Sequence, residues 1–384
     1  MSVTFPHGFR SAGVTAGLKA SGNKDVALIV NDGPLSVAGA VFTSNRIKAA
    51  PVQWTQQCAK SGQFKAVIVN SGGANACTGP QGFADTHHTA EHVAQLLDIA
   101  PIEVAVCSTG LIGKRLPMDL LITGATSAHS ALSPDGGADS AQAIMTTDSV
   151  PKVATYESAQ GWRIGAIAKG AGMLAPGLAT MLVVITTDAK ITSELAQASI
   201  SQASELSFNR IDSDGCMSTN DTVLLLASGA SGHTPDAEDF QSALTQVCLD
   251  LARQLIADAE GATKDIKIQV FGAASDSDAL DVARAVSRSN LLKCAIHGED
   301  PNWGRVLSAL GTTQAVFEPD AIEVSMNSVV VCQRGAALAT EPVVNLSGRE
   351  VSIDINLNAG TESATLWTND LTAMYVHENS AYST

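Results

Sequence analysis

The stretch Lys169–Asp188, KGAGMLAPGLATMLVVITTD, constrains this chain more than any other. Its first half is loop chemistry: Gly170, Gly172, Pro176 and Gly177 fall close together, and such clusters interrupt both helix and strand. Its second half predicts a buried strand, because Met181-Leu182-Val183-Val184-Ile185 is a short apolar run bounded by turn signals. The junction is Ala179-Thr180, where a hydroxyl placed between a flexible loop and a rigid strand can be held in one position. Two readings of Thr180 follow. It is a β-branched residue opening a core strand, or it is a nucleophile. Were the Ala179–Thr180 bond cut, Thr180 would carry a hydroxyl and a free α-amine. A terminal amine ordinarily titrates at roughly 7.7–8.0 and acts as a base near neutral pH. Nucleophile and base would then share one residue.

The 384 residues suffice for large cores, and 45% hydrophobic against 16% charged residues excludes a disordered chain. Gly is abundant and aromatics are few, which favours α/β layers joined by short turns. A formal net charge of −15 without any Lys/Arg run repels nucleic acid and anionic membranes and is compatible with a small cationic amino acid. The seven cysteines are odd in number and scattered, so reduced thiols in a cytoplasmic protein are expected, and no CxxC or His/Cys cluster suggests a metal. No apolar leader opens the chain, and no run of about 20 apolar residues could span a membrane.

Along the chain, strands are expected at Val26–Val30, Val37–Phe42, Ala66–Val69, Val104–Cys107, Met181–Ile185 and Val223–Leu226. Ile266, Ile268 and Val270 alternate with Lys267 and Gln269, which reads as a half-exposed strand. Helices are expected over Asp85–Leu97, Ser193–Leu206 with a Thr192 or Ser193 cap, Asp236–Asp258 and Asp278–Arg288. Several short strands are expected in the tail. The alternation suggests α/β layers. No GxGxxG follows a strand as a dinucleotide fold would require. No repeat or low-complexity linker divides the chain, so the halves before and after Thr180 read as one compact body.

Other positions each allow a plain reading and a chemical one. Ser108-Thr109-Gly110 follows a strand end: an ordinary turn, or a hydroxyl and a backbone N–H placed as two oxyanion donors. Lys169 is a solvated loop charge or an ammonium that shifts its neighbours. Glu260 lies past a helix end, where the macrodipole disfavours a carboxylate; it is a solvated turn residue or a ligand for substrate. The last residues default to a frayed tail. His297 and Trp303 read as structural.

Lys169–Asp188 closely resembles the self-cleavage segment of the ornithine acetyltransferase family, also called the glutamate N-acetyltransferases, of arginine biosynthesis. That pattern is Lys-Gly-small-Gly-Met, a short linker containing Pro, Ala-Thr-Met, an apolar strand and Thr-Thr-Asp, and each position is met here. The resemblance runs from Gly8 to Thr384, with Asp300–Arg305 and the C-terminal tail as further specific pieces. It implies a mixed α/β layered sandwich of the self-processing N-terminal-nucleophile type, shared with related aminopeptidases. It implies cleavage at Ala179-Thr180 into an α chain, 1–179, and a β chain, 180–384, two copies of each forming the assembly. The nucleophile would be Thr180. The oxyanion hole would be Thr109 and Gly110, within Cys-Ser-Thr-Gly-Leu-Ile-Gly. Substrate contacts would be Thr146 of Met-Thr-Thr-Asp, Lys169, Thr180, Glu260 of Asp-Ala-Glu-Gly-Ala-Thr-Lys, and Asn379 and Thr384 of Asn-x-x-Tyr-x-Thr. Ala259 and Gly73 depart from the common Gly and Asn of relatives.

The implied reaction transfers acetyl from N2-acetyl-L-ornithine to L-glutamate through an acetyl-Thr180 intermediate, in the cytoplasm, with no metal or organic cofactor. Family members differ in whether acetyl-CoA is also a donor. One rival is a self-processing aminopeptidase or amidase of similar fold, releasing its acyl group to water; Thr146, Glu260 and Asn379 argue against it. A second is a non-catalytic ligand-binding relative, expected to lose the Thr or its cut site, both of which this chain keeps.

Overall fold

In the computed structural model, which describes residues 2–175 and 181–381, the architecture follows from strands that are apolar on both faces. In the strand Leu182–Thr187, Leu182 and Val184 enter one core while Val183 and Ile185 enter another. A strand covered on both sides reads as a continuous apolar run because neither face meets water. This strand lies in a five-stranded sheet ordered Val37–Phe42, Thr222–Ala227, Leu182–Thr187, Arg163–Lys169, Lys152–Glu157. The pair Leu182–Thr187 and Thr222–Ala227 is parallel; the other pairs are antiparallel.

The helices Ser193–Leu206 and Ala237–Ala257 cover one face of that sheet, contributing Ala196 and Ile200, and Phe240, Leu244 and Leu251. The other face packs on a four-stranded sheet ordered Phe9–Val14, Val26–Asn31, Ala66–Ser71, Val104–Thr109. The outer face of this second sheet is covered by the helices Gly79–Leu97 and Met118–Ser130. The layers are therefore helix, sheet, sheet, helix, the mixed α/β sandwich expected from the sequence. The two strands that follow residue 180 lie side by side at the centre of the five-stranded sheet, flanked by strands that precede it, so neither half could complete it alone.

A six-stranded sheet formed by residues 265–369 has a core of its own. Ile266, Ile268 and Val270 face that core, against the helices Asp276–Ser287, Asn290–His297 and Trp303–Leu310. This is the half-exposed strand that the alternation predicts. Trp303 packs against the same core, and His297 Nδ1 lies 2.8 Å from Asp370 Oδ2, so both serve the fold. All seven cysteines are free thiols.

The boundaries shift where local chemistry competes with the apolar pattern. The helix expected from Asp85 begins at Gly79, because Pro80 opens its first turn. Thr192 caps the helix Ser193–Leu206, its Oγ1 accepting the Leu195 N–H at 3.2 Å, and Asp236 caps the next. The strand after residue 180 runs two residues beyond the apolar run, since Thr186 and Thr187 place their hydroxyls on the backbone carbonyls of Val3, Gly165 and Arg163. In place of a frayed segment, Ala373–Ala381 is a helix, its start held by Thr372 Oγ1, which accepts the Tyr375 N–H and donates to the Gly261 carbonyl.

Leu224 is fully buried between the two stacked sheets. Leu224→Ala should lower the unfolding free energy by about 2–5 kcal/mol, because the sheets cannot close over the cavity. Val343→Ala, at an exposed position, should change it by less than about 0.5 kcal/mol. Urea denaturation of both variants is the check.

Candidate active site

Strand pairing builds the site from two directions. Lys169 ends its strand opposite Leu182, so the two flanks of the Gly-rich segment are held side by side. Thr109 ends the neighbouring sheet's strand opposite Ser71. The two sheets meet here through a hydrogen bond: Lys169 Nζ donates to Thr109 Oγ1 at 3.2 Å. Lys169, expected in a loop, is a strand residue with 1% exposure. Its burial corrects the solvated-charge reading, which local sequence suggested because glycine follows at once.

The turn after Thr109 requires glycine. Gly110 has φ +127°, and a Cβ there would lie 2.6 Å from the Gly73 backbone nitrogen. The Thr109 carbonyl accepts the N–H groups of Gly72 and Gly73 at 2.9 and 3.0 Å. Asn220 Nδ2 donates to the carbonyls of Ala74 and Ser108 at 2.6 and 2.8 Å, tying this turn to the segment before the strand Thr222–Ala227. These polar bonds hold the Thr109 hydroxyl and Gly110 at the edge of the cavity.

That cavity, about 80 Å³, is lined by Thr109, Gly110, Thr146, Lys169, Glu260 and Asn379 among others. Six positions singled out in the sequence, from widely separated regions of the chain, thus converge on one space. Ala179, Thr180 and Thr384 lie outside the described residues. Glu260 is buried, and its Oε2 accepts from Asn379 Nδ2 at 2.9 Å. Its N–H donates to the Ala171 carbonyl at 3.0 Å. Gly172 leaves room for this carboxylate, since a Cβ there would sit 2.7 Å from both its oxygens. Burial pushes the neighbouring Tyr375 phenol up to about 12, and the charges of Asp214 and Glu260 add to the rise.

Three aspartates hold the flanks of the Gly-rich segment, and sequence reasoning assigned a role to none of them. Asp148 Oδ1 accepts from Gly170 N and from Lys152 Nζ, each at 2.6 Å, and Oδ2 accepts from Thr146 N at 2.9 Å. Asp214 accepts from Met173 N at 2.7 Å, fixing Met173 at φ +53°, a region an unbranched bulky residue rarely occupies. Asp221 accepts from Met181 N at 3.1 Å on the far side. The only local signal was Asp148's place beside Thr146; the other two partnerships join residues 41 and 40 apart.

Charge follows from this packing. Burial would raise Asp148, but the ammoniums of Lys169 and Lys152 and the Gly170 N–H outweigh it and hold the carboxyl at about 2. Burial lowers Lys169, opposed by Asp148 and, more weakly, by Asp221 and Glu260. Burial drives Asp221 well above the ordinary carboxylate range. Among the described residues, no three His, Cys, Asp or Glu side chains are placed to hold a metal ion, and no helix is long and apolar enough to cross a membrane.

The cavity thus brings a hydroxyl together with buried charges of both signs, and comparison with known proteins shows that this is an acyltransferase. The family model described as the ArgJ family matches residues 10–384. The arginine biosynthesis bifunctional protein ArgJ of Streptomyces avermitilis is 60% identical over 383 residues, covering 100% of both chains. That of Thermobifida fusca is 59% identical over 384 residues, again covering 100% of both. The crystal structure of ornithine acetyltransferase complexed with ornithine from Mycobacterium tuberculosis is 54% identical, covering 47% of this chain and 96% of that one, with a TM-score of 0.45. The chain belongs to the ArgJ family.

Asp148 supplies a pH test. Its folded value of about 2 lies below the ordinary 3.8, so its stabilisation is complete above about pH 4 and is lost as pH falls through about 2. At about 1.4 kcal/mol per pH unit, that is on the order of 2 kcal/mol. Urea unfolding followed from about pH 5 to 2 should show a steeper acid loss in the wild type than in Asp148→Asn.

Proposed function

We propose that this protein is a glutamate N-acetyltransferase that moves acetyl from N2-acetyl-L-ornithine to L-glutamate by a ping-pong route. The observation that carries this reading is the convergence of Thr109, Gly110, Thr146, Lys169, Glu260 and Asn379 on one small cavity. The full-length relatives named above supply the pathway, and the 54% identical relative complexed with ornithine supplies the substrate class. Thr180 precedes Met181 and is the nucleophile. Self-cleavage at Ala179-Thr180 leaves chains 1–179 and 180–384, and frees the amine that serves as base.

Thr180 Oγ attacks the acetyl carbonyl, the Thr109 hydroxyl and Gly110 N–H hold the tetrahedral oxyanion, and ornithine leaves. The glutamate amine then attacks the acetyl-enzyme through the same hole, giving N-acetylglutamate. Lys169 offers an ammonium to a substrate carboxylate, and Glu260, oriented by Asn379, offers a carboxylate to a substrate ammonium. Thr146 and Thr384 complete the contacts. The enzyme works in the cytoplasm as two α and two β chains, without cofactor. The relatives are called bifunctional; acetyl-CoA is the second donor to test, by measuring acetylglutamate formed from it.

Denaturing mass spectrometry combined with a transfer assay tests the core of this reading. Wild-type protein should appear as two chains and make acetylglutamate from acetylornithine and glutamate. Thr180→Ala should be one folded, uncut, inactive chain, and Thr180→Ser should still cleave, since the chemistry needs the hydroxyl and not the methyl. An intact wild-type chain that still transfers acetyl would refute the nucleophile assignment. Release of acetate to water without acetylglutamate would favour the hydrolytic rival.

Glu260→Gln should cleave normally and lose turnover by about tenfold or more, the weight of a buried charge-assisted contact. Failure to cleave would move Glu260 from substrate binding to processing.

A further inference from the structure

The Thr109–Lys169 hydrogen bond has a direction, and the direction decides what the hydroxyl can do. Thr109 Oγ1 owns one proton and two lone pairs. An ammonium only donates, so while Lys169 is charged its Nζ, 3.2 Å away, must give the proton and Oγ1 must accept it. The Thr109 proton is then available to another acceptor at the cavity it lines. A neutral Lys169 amine carries a lone pair. It would compete for the Thr109 proton, and the hydroxyl dipole would turn away from the cavity.

Burial opposes the charge on Lys169, and Asp148 is the strongest group acting against that loss. Asp221 and Glu260 act in the same sense from two other elements, whereas Lys152 opposes them. Lys19 also feels both Lys169 and Asp148. Asp148 is itself fixed: its side chain is fully buried, and it accepts from Lys152 Nζ, Gly170 N and Thr146 N. Lys152 is shared with Asp258 at 2.5 Å, which keeps the Asp148 carboxylate in place without neutralising it alone.

We propose that Asp148 is a positioning residue for acetyl transfer: through Lys169 it orients the Thr109 O–H bond so that its proton faces the substrate oxyanion. This rests on the reading of Thr109 as an oxyanion donor. Asp148 forms no bond to substrate and moves no proton; it sets the polarity of a hydrogen bond two groups away.

The test is the pH profile of kcat for acetyl transfer from acetylornithine to glutamate, on the self-cleaved enzyme. The acid limb belongs to the Thr180 amine, a group that ordinarily titrates at about 8. The alkaline limb belongs to Lys169. In Asp148→Asn that limb should move toward acid by about one pH unit or more, giving up to about a tenfold loss relative to the variant's own maximum at a pH where the wild type is still on its plateau. Asp258→Asn removes the other carboxylate on Lys152 but contacts neither Thr146 nor Gly170, and its limb should stay in place. Lys169→Arg cannot lose its proton and should show no alkaline limb. An unmoved limb in Asp148→Asn, or an equal shift in Asp258→Asn, overturns the proposal. Should Asp148→Asn not fold, Lys169→Arg decides: an alkaline limb that persists there overturns it. Thr109→Ala separates the two levels of the argument. Full kcat in Thr109→Ala defeats the oxyanion reading itself, whereas a slow Thr109→Ala beside an unmoved Asp148→Asn limb defeats only the role of Asp148.

Discussion

The pairing of Lys169 with Leu182 is the constraint on which the site depends. Antiparallel strands at this point bring the two ends of the Gly-rich segment to one place. The sheet they belong to is covered on both faces, by helices on one side and by a second sheet on the other. A strand so enclosed cannot slip by one residue without exchanging its two sets of apolar side chains between cores. The register is thereby locked, and with it the position of every group attached to either flank.

Enclosure has an electrostatic consequence. Lys169, Lys152, Asp148 and Asp221 lie where water cannot solvate them. A buried charge persists only when paired and hydrogen-bonded. Lys152 meets both Asp148 and Asp258, while Asp148 also accepts two backbone N–H groups. Removing one member of such a set leaves an uncompensated charge and costs about 3–5 kcal/mol. Asp148, which satisfies the Lys152 ammonium, also holds the backbone at Thr146 and Gly170, while Asp214 and Asp221 hold it at Met173 and Met181. Stability and site geometry therefore draw on the same bonds, and substitutions here should be read for both.

Much of the fold is legible in single elements. The helix Ser193–Leu206 and its Thr192 cap, and the alternation at Ile266, Ile268 and Val270, follow from periodicity and turn chemistry alone. Local pattern is a weaker guide at Lys169, where a following glycine suggests a loop although the residue closes a strand, and in Ala373–Ala381, where helical order comes from docking on Gly261 and Glu260.

The candidate residues show the same division. The motifs around Thr109, Thr146, Lys169, Glu260 and Asn379 could be found in the sequence because each keeps a short, specific neighbourhood. Family and fold class were legible there, and the candidate residues could be named. What only the tertiary structure decided is which groups face each other: Lys169 with Thr109, 60 residues away, and Asn379 with Glu260, 119 away. The aspartates at 148, 214 and 221 became visible only then. A carboxylate in a sequence carries a charge but no address; burial in the packed structure decides whether that charge faces water or holds the backbone at Thr146, Gly170, Met173 and Met181 in place.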